Sequence, residues 1–335
     1  MTRLGRLAAG LATATVLSVT ASGCVTVHGE LEVVPGATES EAAKALEDFT
    51  VAYNKADKAY DPALDEDRVT GSLGAINQAG LAARRKNSPE GNAQHKPLEL
   101  TDASYAIPKK AGWPRWFLAD TDSNRDQDGG KQDTRWLLTF VRTGPDAPWK
   151  VSYLAVASPS EIPKFRKDAD GYAQPVPSDT TDATLATAPA ELSTTYTDYL
   201  RDGAPDVFAP GSMTSGWRDA RKNTRRAGFS YQYVDQALDS GTFAPLGLTT
   251  EDGGALVFFS SKHFERQTAA QGLRPTVTAD VEALLTGEVK STLTKERVSS
   301  QLVYVPKKAA GDATGTDGKV RVLNRLPGLV AAQGS

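Results

Sequence analysis

The 335-residue chain is 39% hydrophobic and 24% charged with a net charge of −3, so it can bury a core but lacks the basic excess that a nucleic-acid partner requires. Its single cysteine, Cys24, excludes a disulfide framework and a Cys-based zinc site. Its three histidines, His28, His95 and His263, fall in separate regions with no HExxH or i, i+4 pairing, and no metal or cofactor is expected.

The N-terminus has three parts. Arg3 and Arg6 form a positive start, Leu7 to Val19 is uncharged, and the small residues Ala21, Ser22 and Gly23 lead into Cys24. That is the layout of a secretory signal over residues 1–23. Thr and Gly dilute the stretch below the run of about 20 apolar residues that a spanning helix needs. The segment "ASGC" resembles a bacterial lipobox, with Ala21 where Leu is usual. The resemblance implies cleavage between Gly23 and Cys24 and a diacylglyceryl thioether on the Cys24 sulfur. Each buried methylene contributes about 0.8 kcal/mol, so two acyl chains hold a protein stably. The expected location is the outer face of the cytoplasmic membrane. Loss of Arg3 and Arg6 with the leader lowers the charge from −3 to −5.

Residues 24–37 read as the lipidated end and a tether, closed by Pro35-Gly36. A helix is predicted from Thr38 or Ser40, with Ala42, Leu46, Phe49 and Tyr53 on one face. Asp61-Pro62 ends it, and a second helix follows Gly71-Ser72, with Arg84, Arg85 and Lys86 near its negative C-terminal end. Four strand-like runs come next: "LELTDASYAI", "WPRWFLAD", "TRWLLTFVRT" and "WKVSYLAVA". Residues 38–158 therefore read as an α+β domain of two helices and an antiparallel meander, and residues 159–189 as a Pro-, Ser- and Thr-rich linker.

Residues 190–335 replay this order. "AELSTTYTDYLRD" is a helix, Gly211-Ser212-Met213 corresponds to Gly71-Ser72-Leu73, and a second helix ends in "NTRRA". The strands "FSYQYVDQAL", "LGLTT", "ALVFFSSKHF", "SQLVYVPKK" and "GKVRVLNRL" follow, pairing Lys319-Val320 with Lys150-Val151. An insertion of about 25 residues, with a helix in "TADVEALLTGEVKS", separates the later strands. The fold class is α+β: two tandem domains, each with helices packed on a curved antiparallel sheet.

Few residues point to chemistry. Asp120, Asp122, Asn124, Asp126 and Asp128 alternate like calcium ligands, but Arg125 and Lys131 stand where an EF-hand loop needs Gly and Glu, so a solvated hairpin loop is expected. No G-x-S-x-G elbow or phosphate-binding Gly loop occurs, Ser212 reads as a helix N-cap, and no catalytic residue is assigned. Arg218, Arg221, Lys222, Arg225 and Arg226 form a basic helix face: a solvated face, or a contact for anionic lipid or wall polymer. Trp113, Trp116, Trp136, Tyr105, Phe258 and Phe259 are core residues or line a concave sheet that could hold an apolar ligand.

The lipobox, the length and the two halves resemble a family of actinobacterial, Streptomyces-type cell-envelope lipoproteins that share a domain of unknown function. Each half also resembles the NTF2-like or cystatin-like architecture, which implies a fold and no activity. The expected role is a non-catalytic binding or scaffolding lipoprotein with an envelope protein or small apolar ligand as partner. An envelope hydrolase using carboxylates and a transporter-associated ligand-binding lipoprotein are the alternatives.

Overall fold

Thr38 opens the first helix because its side chain and that of Glu41 cap each other. Thr38 Oγ1 accepts from the Glu41 amide at 3.1 Å, and the Glu41 carboxylate accepts from the Thr38 amide at 2.8 Å. We describe a computed structural model covering residues 32–177, 184–308 and 318–335. Strand β1 (Val33–Pro35) precedes α1 (Glu39–Ala59), which buries Ala42, Ala45, Leu46, Phe49 and Ala56. Helix α2 (Gly71–Asn87) follows. Then come β2 (Leu100–Ala106), β3 (Lys109–Ala111), β4 (Arg115–Ser123), β5 (Arg135–Arg142) and β6 (Lys150–Ala157). Strands β2, β4, β5 and β6 form an antiparallel meander in that order, and β1 pairs with β3.

Strand β7 (Pro175–Val176) leads to α3 (Leu192–Asp202), α4 (Ser215–Asn223), β8 (Phe229–Leu238), β9 (Leu246–Thr249) and β10 (Ala255–Ala269). Helix α5 (Ala279–Ala283), β11 (Leu285–Thr286), β12 (Thr292–Val305) and β13 (Arg321–Gly334) complete the described chain. Strands β8 and β9 share one edge of β10, whose other edge pairs with β12 and then β13. The helix expected over the insertion is only five residues long, because Leu285–Thr286 leaves it to pair with β13.

The α+β class stands, and the layers stack in one order. The first sheet takes α1 on one face, where Phe117, Leu138, Phe140 and Val151 meet Leu46 and Phe49. The second sheet takes α3 on one face, where Val257, Phe259, Val303 and Val305 meet Leu192, Tyr196 and Leu200. The remaining faces meet each other: Trp116, Leu118, Leu137 and Tyr153 pack with Leu248, Leu256, Phe258 and Leu302. Tyr153, fully buried, donates its hydroxyl across this seam to the Phe243 carbonyl at 2.8 Å.

Helix α2 also bridges the halves. Gly328 of β13 admits Ile76 so closely that a Cβ there would stand 2.4 Å from Ile76 Cγ2. At its start, Gly71 has φ +54, and a Cβ would lie 2.5 Å from the Thr242 carbonyl. Only glycine satisfies both demands. Residues 159–177 are tied to both sheets, through Ala173 N to Ile107 O at 3.0 Å and Arg166 N to Thr249 O at 2.9 Å. Among the described residues no helix is long and apolar enough to cross a membrane. Arg3, Arg6, Gly23, Cys24 and His28 lie outside the described residues.

Candidate functional site

The face of the second sheet that α3 covers is apolar at one end and polar at the other. Along β10 the residues on this face are Val257, Phe259, Ser261, His263 and Glu265. Register places Asp235 of β8 and Arg297 of β12 beside His263, and Ser299 beside Ser261. Helix α3 ends before the polar end, and α4 covers it with Trp217 and Arg221, one helical turn apart.

These side chains form one hydrogen-bonded chain. Arg221 holds Asp235 with two bonds of 2.7 and 3.0 Å, side-chain exposures being 9% and 4%. His263 Nδ1 is 2.7 Å from Asp235 Oδ1, and His263 Nε2 is 2.9 Å from Ser261 Oγ. The Gln301 amide meets the same Oγ at 2.5 Å. Burial favours an uncharged Asp235, but hydrogen bonds from His263 and Arg221 outweigh it and hold the carboxyl below its usual range. Burial lowers His263 to about 4 against the pull of Asp235, so the imidazole is neutral at pH 7. Its Nδ1–H therefore donates to Asp235, and its unprotonated Nε2 faces the Ser261 hydroxyl, for whose single proton the Gln301 amide oxygen competes.

The Ser261, His263 and Asp235 distances match an acyl-transfer triad. The surroundings differ from one in two respects. Ser261 and Gln301 have no exposed surface. Ser261 lies mid-strand between two paired neighbours, so the amides that could form an oxyanion hole are committed to the ladder.

Trp217 lies between two guanidiniums, with Arg221 Cζ 3.7 Å and Arg325 Cζ 3.6 Å from its ring centroid. Two groups this close to one ring centre must occupy opposite faces. The His263 ring meets the indole edge-on at 4.8 Å. Burial lowers Arg325 to about 10. A cavity of about 180 Å³ opens onto this group, with Tyr233, Glu265 and Arg297 on its wall. A groove of about 480 Å³ on the other side of Arg221 and Tyr233 is lined by Arg218, Lys222 and Arg225.

The five basic residues singled out in the sequence thus take different positions. Arg221 is an internal ion-pair partner. Arg218 stacks 4.8 Å from the Tyr199 ring, Arg226 stacks 4.1 Å from Phe229, and Lys222 and Arg225 face the groove. Ser212 is not the N-cap. Thr214 holds that position, its hydroxyl donating to the Ala209 carbonyl at 2.7 Å, which delays the helix to Ser215.

Of the alternating acidic set, Asp122, Asp126 and Asp128 bring oxygens within 4.8 Å of one another. Asp120 instead bonds Arg135 at 2.6 Å, and Asn124 accepts from the Glu99 amide at 3.1 Å. His95 bonds Asp57 at 2.8 Å, far in sequence from the site. Among the aromatics, Trp116, Phe258 and Phe259 are core, Tyr105 and Trp136 pack against it, and Arg115 stacks 4.5 Å from Trp113. A cavity of about 550 Å³ has a mixed lining, with Ile107, Leu118, Ile162 and Phe165 beside Asp120, Arg135, Lys164 and Glu251.

Sequence reasoning missed Trp217, Asp235, Ser261, Gln301 and Arg325. The available signal was the S-x-H spacing of Ser261 and His263, which puts both side chains on one face of a strand.

Comparison with known proteins adds the following. Residues 33–334 match the model of the family described as Domain of unknown function (DUF8094). An uncharacterized lipoprotein of Streptomyces coelicolor is 53% identical over 334 residues, spanning 99% of this chain and 96% of its own length. One from Streptomyces avermitilis is 51% identical with the same coverage. A second S. coelicolor uncharacterized lipoprotein is 25% identical over 325 residues, 88% of each chain.

Proposed function

Because the chain belongs to the DUF8094 family, we propose that it is a lipid-anchored envelope lipoprotein acting as a non-catalytic binding module. The anchor is a diacylglyceryl group on Cys24, exposed by cleavage after Gly23, at the outer face of the cytoplasmic membrane. The lipobox-like "ASGC" supports this reading, as do relatives named as lipoproteins over almost their whole length. The binding surface is the polar end of the second sheet with the basic groove beside α4. The observation that carries it is the pairing of an accessible cavity of about 180 Å³ with a Ser261 that no acyl substrate reaches.

We read the two halves as a duplication of one NTF2-like unit. Arg68 and Thr70 bond both sides of Val151, and Val207 and Ala209 bond both sides of Val320 in the same manner. This matches Lys150-Val151 at the start of β6 with Lys319-Val320 just before β13, each bridged by the segment ahead of the second helix of its half.

The test of the anchor is the intact mass of the native protein from its host's membrane fraction, with and without a globomycin-type peptidase inhibitor. A diacylglyceryl adduct on a chain starting at Cys24 is expected. A soluble, unmodified chain cut elsewhere refutes it. A second reading, an envelope hydrolase using Ser261, is favoured by the 2.9 and 2.7 Å distances alone. Labelling of wild type by a fluorophosphonate, abolished in Ser261→Ala, would establish it in place of the binding module.

A further inference from the structure

Three guanidiniums stand at the small cavity, and two have partners. Arg221 holds Asp235, and Arg297 reaches Glu265 at 3.4 Å. Arg325 has none: among the described residues no carboxylate or carbonyl accepts from it, and its Nε is buried without a partner. Withdrawing a cation from water without an acceptor costs several kcal/mol. The contact with Trp217 offsets only part of that cost. A guanidinium held flat by an indole is, however, pre-organised to present its fork of N–H donors.

The local charge is unbalanced in the same sense. Arg221, Arg297, Arg325 and Lys295 stand against Asp235 and Glu265, and His263 is neutral, so positive charge is in excess. Arg325 lies opposite Gln301 on the next strand, so the backbone fixes its origin. Lys295 shares the Glu265 carboxylate with Arg297, at 3.1 and 3.4 Å.

We propose that this cavity binds a small monoanionic oxyanion, a carboxylate or a phosphodiester, through two parallel hydrogen bonds from Arg325. The anion supplies the acceptor that Arg325 lacks and offsets part of the excess charge. The roughly 180 Å³ available fits the anionic group and a few attached atoms. The proposal rests on the reading of the chain as a binding module. The two fail differently: Ser261-dependent fluorophosphonate labelling ends that reading, whereas anion binding indifferent to Arg325 ends this one.

The test uses the detergent-solubilised mature chain. Binding of acetate and of dimethyl phosphate is measured by calorimetry and by the indole N–H resonance of Trp217, with chloride at matched ionic strength as the control. Flotation of the unlipidated Cys24→Ser chain with phosphatidylglycerol or phosphatidylcholine vesicles, where no anchor carries the protein to the bilayer, forms a second arm. Saturable binding by either soluble probe is expected, with Arg325→Gln weakening it roughly tenfold or more, about 1.4 kcal/mol, and Arg325→Lys recovering part of that. Arg325-dependent flotation with phosphatidylglycerol alone supports the proposal too, and assigns the phosphodiester to a lipid headgroup. Binding no stronger than chloride in both arms refutes it. So does binding that survives in a folded Arg325→Gln protein but is lost in Lys222→Ala/Arg225→Ala.

Discussion

Replacing Arg221 by Met tests the electrostatic account of the polar site. The Arg221 and Asp235 side chains are 9% and 4% exposed and share two hydrogen bonds, so removing the cation strands a buried carboxylate. Breaking a buried pair on one side costs about 3–5 kcal/mol. The remaining partner, His263, is neutral because burial keeps it at about 4, with the Arg221 and Arg325 charges acting in the same direction. Without Arg221 the imidazole gains affinity for a proton, since it alone can neutralise Asp235. A group whose folded pKa rises adds stability at low pH and loses it as pH climbs through that pKa. The deficit of Arg221→Met, read from equilibrium urea unfolding, is therefore expected to be about 3–5 kcal/mol at pH 8 and roughly half of that at pH 5. Adding Asp235→Asn should recover most of the loss at pH 8, because no charge is then stranded. A deficit under about 1 kcal/mol, or one equal at the two pH values, refutes the reasoning.

Three further outcomes follow from other parts of the fold. Burial raises Asp65 to about 6 against hydrogen bonds from Asn77 and Gln78, so the native protein holds a proton that the unfolded chain has released, and stability falls as pH rises from about 4 to 6. The pH profile of Asp65→Asn should lack that fall, about 3 kcal/mol in size; identical profiles would count against a buried, proton-holding carboxyl. Gly71→Ala adds a Cβ at φ +54 against the Thr242 carbonyl and should cost about 2 kcal/mol or more in thermal or urea unfolding, whereas a neutral effect would contradict the close approach. Thr38→Ala removes the reciprocal cap of α1 and should cost about 1 kcal/mol, with circular dichroism checking for loss at the helix start.

Much of this architecture was legible from local signals. The first helix declared itself by apolar residues at spacings of three and four, while the choice of Thr38 over Ser40 as its cap came from the structure. The strands of both halves declared themselves by short β-branched and aromatic runs between turn residues. The face-to-face contact of the two sheets was less legible, although a trace was present. "ALVFF" in β10 is a continuous apolar run and "WLLTF" in β5 is apolar but for Thr139, and strands covered on both faces lose the alternation of half-exposed ones. Which faces meet is decided by packing between segments more than a hundred residues apart, beyond the reach of any local pattern. The polar site was least legible. Asp235 and His263 lie 28 positions apart and become neighbours only through strand register, while Arg325 arrives from β13. The basic run after Gly216 drew attention to α4 but could not reveal that Arg221 points inward.

The seam between the sheets also bears on the order in which the chain folds. The first meander is complete at Ala157, before any strand of the second sheet has left the ribosome. At that moment Trp116, Leu118, Leu137 and Tyr153 form a greasy surface without its cover. A first half that packs before the second is made would keep this face uncovered until Leu302 arrives, and exposed apolar surface of this kind invites aggregation. Anything that slows delivery of the C-terminal strands lengthens that wait. Truncation within β12 or β13 should therefore damage the half that was made first as much as the half that was cut.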